Sequence, residues 1–156
     1  MAQLDRIHPR IHAITLGVSD LQRALTFYRD GLGLASEGIT GTSYPGDERN
    51  PAGDVVMFTL QDGLMLSLYP RSELAKDAGV GLEAGAGPGF SIGHIVDSRE
   101  EVDRILELAG RAGGRILGQA HERPWGIYSG YFGDPDGHMW EIIYALPDRG
   151  DGESTP

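Results

Sequence analysis

The chain has no cysteine and is short of cations, with 13 Lys and Arg against 23 Asp and Glu in 156 residues, for a formal charge of −10. Without cysteine there can be no disulfide, no thiolate nucleophile and no cysteine-ligated zinc or iron–sulfur centre, although the compartment stays open and the cytoplasm is only the default expectation. The acidic balance, with no Lys/Arg cluster, argues against electrostatically driven binding to nucleic acid or to an anionic membrane. Long apolar runs are missing too. None approaches the roughly 20 residues of a membrane-spanning helix, and no charged-then-apolar leader is expected. The partner expected from these exclusions is a small molecule or another protein.

What remains suits one compact domain with a single core. The stretch IHAITLGV (11–18) alternates and is rich in strand formers. SDLQRALTFYRDGLG follows with Leu21, Ala24, Leu25 and Tyr28 at the spacing of one helical face. Ser19 with Gln22 resembles a capping box, and Gly31 or Gly33 can end the helix. A Gly/Pro-rich loop (38–53), long enough to serve as a lid, precedes DVVMFTLQ and LMLSLYP, two strands joined across Asp62-Gly63. Residues 79–89, GVGLEAGAGPG, contain a G-x-G-x-x-A pattern. No helix opens there, so it reads as connector rather than phosphate cradle.

The second half repeats the first. FSIGHIVD (90–97) is a strand, and SREEVDRILELAGRAGG carries Val102, Ile105, Leu106 and Ala109 at the same helical spacing, with a Ser98/Glu101 capping box. Then come RILGQAHE, IYSGYFG and HMWEIIYAL, the last two joined by the turn DPDG. DGLMLSLY (62–69) matches DGHMWEII (136–143), and Val18 matches Val96. The expected fold is α+β: two βαβββ repeats, about 10–70 and 90–146, linked by 71–89. Their mixed sheets pair into a cupped, barrel-like surface with helices outside and a cleft within. The tail 147–156 has no apolar content and is expected to be disordered.

This order of elements, with ITLGVSDLQRALTFYRDGLG near the start and FGDPDGHMWEI near the end, resembles the vicinal oxygen chelate superfamily over about residues 8–146. That superfamily includes glyoxalase I, extradiol dioxygenases, fosfomycin resistance enzymes and bleomycin-binding proteins. The motifs specify the fold better than the reaction. The resemblance implies a small-molecule ligand and a homodimer. It places the ligands of the metal-dependent members at residues 13, 67, 91 and 141.

Strand parity tests that placement. Leu64, Leu66 and Leu68 belong under a helix, so Ser67 and Tyr69 face the cleft. The repeat then puts Glu141, with Met139 and Ile143, on the cleft face, while Ile14, Leu16 and Val18, and Ile92, His94 and Val96, go under the helices. The four ligand positions are therefore Ala13, Ser67, Ser91 and Glu141. One carboxylate and two hydroxyls make no strong divalent site, so no metal ligand and no cofactor is assigned. The alternative is a divalent-metal lyase, isomerase or dioxygenase that recruits His12 and His94 beside Glu141 by a register slip, or shares a site across a dimer.

Glu141 is the expected catalytic or anchoring group. Thr15, Ser67, Tyr69, Ser91, Trp125 and Tyr131 are the expected ligand-binding residues; the alternative for Glu141 is a structural carboxylate satisfied by cleft hydroxyls such as Ser67 or Ser91, or by a lysine, an arginine or water. His138 is expected to brace the DPDG turn, and His121 and Glu122 point to opposite sides. With few basic residues on the cleft strands, the expected ligand is neutral or cationic and partly apolar. The reading is of a glyoxalase-like small-molecule-binding protein without a catalytic metal.

Overall fold

A computed structural model describes residues 11–48, 50–78, 81 and 90–148. Most of the connector expected at 79–89, nearly all of the expected disordered tail and residues 8–10 lie outside the described residues. The chain divides into two compact units: one runs to Leu25 and resumes at Leu34, and the other takes Thr26–Gly33 and the chain from Gly85 on. Each holds a four-stranded mixed sheet, and the fold is α+β.

In the first unit the strands are β1 (Ala13–Val18), β2 (Ile39–Thr40), β3 (Val55–Thr59) and β4 (Met65–Pro70), in the order β1-β4-β3-β2. β1 runs parallel to β4, and the other pairs are antiparallel. Alternation does the sorting. Leu16, Val18, Val56, Phe58, Leu66 and Leu68 are all buried, with Ala24 and Leu25 of helix α1 (Leu21–Leu25). The turn between β3 and β4 has one residue more than a two-residue hairpin, spanning Gln61–Gly63. Asp62 and Gly63 both take positive φ, 53° and 82°.

Three expectations are corrected here. The helix start is capped by Asp20, whose Oδ1 accepts from the Arg23 backbone N–H at 3.0 Å, rather than by Ser19. After Leu25 the helix widens into a π-helical turn over Thr26–Gly31, closed by the Leu32 N–H on the Phe27 carbonyl. The wider turn buries Phe27 beside Tyr28, which an α-helical stripe would not. Residues 71–78 of the expected linker are a helix, α2 (Arg71–Ala78), whose polar composition hid it. This helix ties down the 38–53 loop. Glu73 accepts from the Ala52 N–H at 2.7 Å, and Lys76 donates to the Asp47 carbonyl at 3.0 Å.

The second unit repeats the topology with β5 (Ser91–Val96), helix α3 (Arg99–Arg111), β6 (Arg115–Arg123), β7 (Ile127–Gly133) and β8 (Met139–Ala145), in the order β5-β8-β7-β6. Register repeats as well. Ala13 opposes Met65 in one sheet as Ser91 opposes Met139 in the other. Ser98 caps α3 as expected, accepting from the Glu101 N–H at 3.1 Å. The helix lies over β6, β7 and β8, so on edge strand β5 His94 is exposed rather than buried under it.

The core of this unit is a ring cluster of Phe27, Tyr28, Phe132 and Trp140. It is joined to the DPDG turn through Asp134. That carboxylate, 4% exposed, accepts from Tyr28 Oη at 2.6 Å and from the N–H groups of Asp136 and His138 at 2.9 and 2.8 Å. The turn is thus braced by Asp134, with His138 contributing its backbone.

Candidate functional site

The face of the second sheet opposite α3 carries the polar cluster. Glu141 on β8 lies directly across from Tyr131 on β7, the spacing at which cross-strand side chains meet. Ser129, fully buried two residues along β7 and therefore on the same face, donates its hydroxyl to Glu141 Oε2 at 2.9 Å. Desolvation raises the Tyr131 phenol above its ordinary value. The Glu141 charge and a hydrogen bond to Glu141 add to this, while Arg123 and a hydrogen bond from Ser91 oppose it. Ser91, Tyr131, Glu141 and Ser129 therefore share one face, joined by the Ser129–Glu141 hydrogen bond. Met139 and Ile143 flank it on β8.

The first unit brings Thr15 and Ser67 together as opposing residues of β1 and β4, with Met57 of β3 on the other side of Ser67. Thr15 is exposed, and Ser67 is buried at 6% exposure. Met57, Thr59 and Thr40 line a cavity of about 510 Å³ with Ser36 and Glu37. Tyr69 is turned to another task, donating its hydroxyl to the Ala52 carbonyl at 2.7 Å. Trp125 sits at the tip of the β6–β7 hairpin, 68% exposed.

Two residues of this face were missed. The hydroxyl partner of Glu141 within this unit is Ser129. The DPDG turn carried that information, because folding β8 back on β7 about the turn sets Tyr131 opposite Glu141 and Ser129 on the same face. Arg123 also lies on this face, its guanidinium 6.0 Å from the Tyr131 ring centroid, a single cation that strand parity did not bring to notice. The β6 register could not be read from sequence. Two irregularities, between Ile116 and Gly118 and between Gly118 and His121, each add a residue to β6 and set His121 opposite Ser129.

A divalent metal does not fit the residues present. Of the four positions the resemblance points to, Ala13 has no donor. Ser67 and Ser91 offer only hydroxyls, and Glu141 already accepts from Ser129. Among the described residues no three of His, Cys, Asp and Glu come together. The register slip that would recruit histidines is not there. β5 pairs with β8 without interruption from Ser91 to Val96, placing Gly93 opposite Glu141 and His94 on the other face. β1 is equally regular, and the Met65 N–H extends its pairing back to the His12 carbonyl. What this donor set can do is accept hydrogen bonds, hold a proton and position a small ligand.

No helix among the described residues is long and apolar enough to cross a membrane. No curated protein matches the chain. Among solved structures, a glyoxalase-related enzyme from Fulvimarina pelagi is 30% identical over 96% of this chain and 99% of its own, with a TM-score of 0.73. A lactoylglutathione lyase from Agrobacterium tumefaciens is 26% identical over 88% and 95%, with a TM-score of 0.61. A glyoxalase/bleomycin resistance protein/dioxygenase from Nocardioides, at 22% identity over 99% and 94% and a TM-score of 0.70, shares the fold. The family model matches residues 10–142, and the chain belongs to the glyoxalase/bleomycin resistance protein/dioxygenase superfamily.

Proposed function

We propose that this chain binds a small molecule on the Glu141 face of its second sheet and does so without a catalytic metal. One observation carries the reading: the Glu141 carboxylate is held by the Ser129 hydroxyl at 2.9 Å, with Tyr131 directly opposite, rather than by a set of metal-ligating side chains. A carboxylate oriented this way offers its remaining lone pairs to a hydrogen-bond donor, neutral or cationic, on the ligand. Met139, Ile143 and the exposed Ile95 give the same face apolar surface for the rest of the molecule. Thr15, Ser67 and Ser91 are secondary polar groups in this reading. Tyr69 and Trp125 are peripheral ones. The chain also forms a homodimer in this reading, supported by the exposure of Phe90 and Ile95, 52% and 73%, beside and on an edge strand. Light scattering checks it.

A metal-dependent lyase of the kind named for the Agrobacterium neighbour is the competing reading. Thermal-shift screening of a small-molecule collection, followed by titration of the hits, separates the two. With the fold intact by circular dichroism, Glu141→Gln is expected to weaken hits about tenfold or more, the scale of a lost charge-assisted hydrogen bond. Elemental analysis that finds stoichiometric zinc, nickel, iron or manganese in the wild-type protein, and none in Glu141→Gln, overturns the proposal.

A further inference from the structure

Arg123 is a charged group on this face that the reading above leaves without a role. It ends β6 opposite Ile127, which places it in line with Ser129 and Tyr131. Its Nε is buried and has no hydrogen-bond partner among the described residues. Arg29, Arg99, Arg104 and Arg111 each have a carboxylate beside them, whereas Arg123 forms no ion pair among the described residues. A guanidinium N–H withdrawn from water without a partner is costly. Such an orphan is rare enough to need a reason. Glu141 does not supply the missing partner. It lies four residues along the sheet from the Arg123 row, a rise of about 13 Å, and two strands across from β6, so the two backbones are farther apart still. The Arg123 side chain reaches back along that distance only as far as the Tyr131 ring.

We infer that Arg123 is the anion-binding residue of this site and that the ligand is a small carboxylate: its carboxylate pairs with the Arg123 guanidinium, and a hydrogen-bond donor across the Tyr131 ring reaches Glu141. This rests on the reading that ligand binds at Glu141, and it adds the second, oppositely charged end of the molecule. The planar guanidinium fork matches a carboxylate in two parallel hydrogen bonds. A monoanion is favoured over a phosphate dianion because Glu141 shares the face and the chain already carries −10. The Tyr131 ring between the two charged ends presents a surface for an apolar or aromatic linker.

The test uses four probes on the full chain: benzoate, benzamide, phenyl phosphate and 3-(aminomethyl)benzoate. In ¹⁵N-labelled protein the Arg123 Nε–H resonance is expected to move with benzoate and not with benzamide. Arg123→Gln is expected to lower benzoate affinity about tenfold or more while leaving benzamide within about twofold. Arg123→Lys, which keeps the charge and loses the fork, is expected to fall between the two, and it serves as the folded control. The inference is overturned if the Nε–H resonance ignores benzoate or follows benzamide equally, if Arg123→Gln leaves benzoate affinity unchanged, or if phenyl phosphate binds more tightly than benzoate. Failure of the Glu141 reading looks different. 3-(Aminomethyl)benzoate is expected to bind more tightly than benzoate, and Glu141→Gln to abolish that advantage. If the advantage survives in Glu141→Gln while the benzoate response of Arg123 persists, the Glu141 reading falls and the Arg123 assignment stands.

Discussion

Tyr28 and Asp134 show how one buried pair organises a motif that reads as a site. In FGDPDGHMWEI the first aspartate of the turn has its oxygens taken up by Tyr28 and by two turn N–H groups. The Tyr28 hydroxyl in turn accepts from Trp140 Nε1 at 3.1 Å. Burial, and then the Asp134 carboxylate beside it, push the Tyr28 phenol well above its ordinary 10.0. The sign of the linkage follows. Above pH 10 the unfolded chain loses this proton and the folded chain keeps it, so stability is intact below pH 10 and falls as pH rises toward the raised value. At up to about 1.4 kcal/mol per pH unit from this one group, the fall is measurable in urea titrations between pH 9 and 11. Tyr28→Phe is expected to lose about 1–3 kcal/mol at neutral pH through the orphaned Asp134 and Trp140 partners, and to show a shallower decline above pH 10. An equal alkaline slope in both proteins would assign the effect to another group. Tyr69, Tyr128 and Tyr131 are raised as well, but they are much less buried, and solvent screens their contribution.

At the level of elements, β6 and β7 hold the residues that matter most, and their close approach depends on Gly130. A Cβ built there would meet Leu106 Cδ1 at 2.7 Å, the Gly118 carbonyl oxygen at 2.9 Å and the Ala120 Cα at 3.0 Å. Leucine could turn aside, whereas the backbone of a paired strand could not. Gly130→Ala is therefore expected to cost about 1–3 kcal/mol as an overpacking substitution, seen as a lower urea midpoint at unchanged slope. An unchanged midpoint would mean that β6 gives way freely. The contrast with the rest of the unit is instructive. Ser98 announced the start of α3, and the 3-4-7 spacing announced its buried face, because capping and amphipathicity are local. The two added residues of β6 left no local mark, since Ile116 to Arg123 alternates no differently from a regular strand. This is why Arg123 went unnoticed while Tyr131 and Glu141, set by a recognisable turn, did not. α2 was lost for the opposite reason: RSELAKDA has no apolar stripe to read, and its tie to the 38–53 loop is made by Glu73 and Lys76, which in sequence look like any solvated charges.

For the molecule as a whole, the internal repeat is the feature that carried the fold from sequence to structure. Both sheets have the same strand order and the same register, down to Ala13 opposite Met65 and Ser91 opposite Met139. What the repeat does not preserve is chemistry, since Ser67 in one sheet corresponds to Glu141 in the other. This asymmetry yields a prediction about the intact protein. A ligand that binds only the folded state at 100 times its Kd adds about 2.7 kcal/mol. For a domain of this size that raises Tm by about 5–10 °C. Zinc, nickel, iron(II) or manganese, offered singly after chelator treatment, is expected to move Tm by less than about 2 °C, because the Glu141 carboxylate is engaged by Ser129 and no three of His, Cys, Asp and Glu come together among the described residues to complete a coordination sphere. A rise of about 5 °C or more with any of these ions, abolished by Glu141→Gln, would show that Glu141 gives up its hydroxyl partner for a metal and would return the chain to the metal-dependent branch of its superfamily.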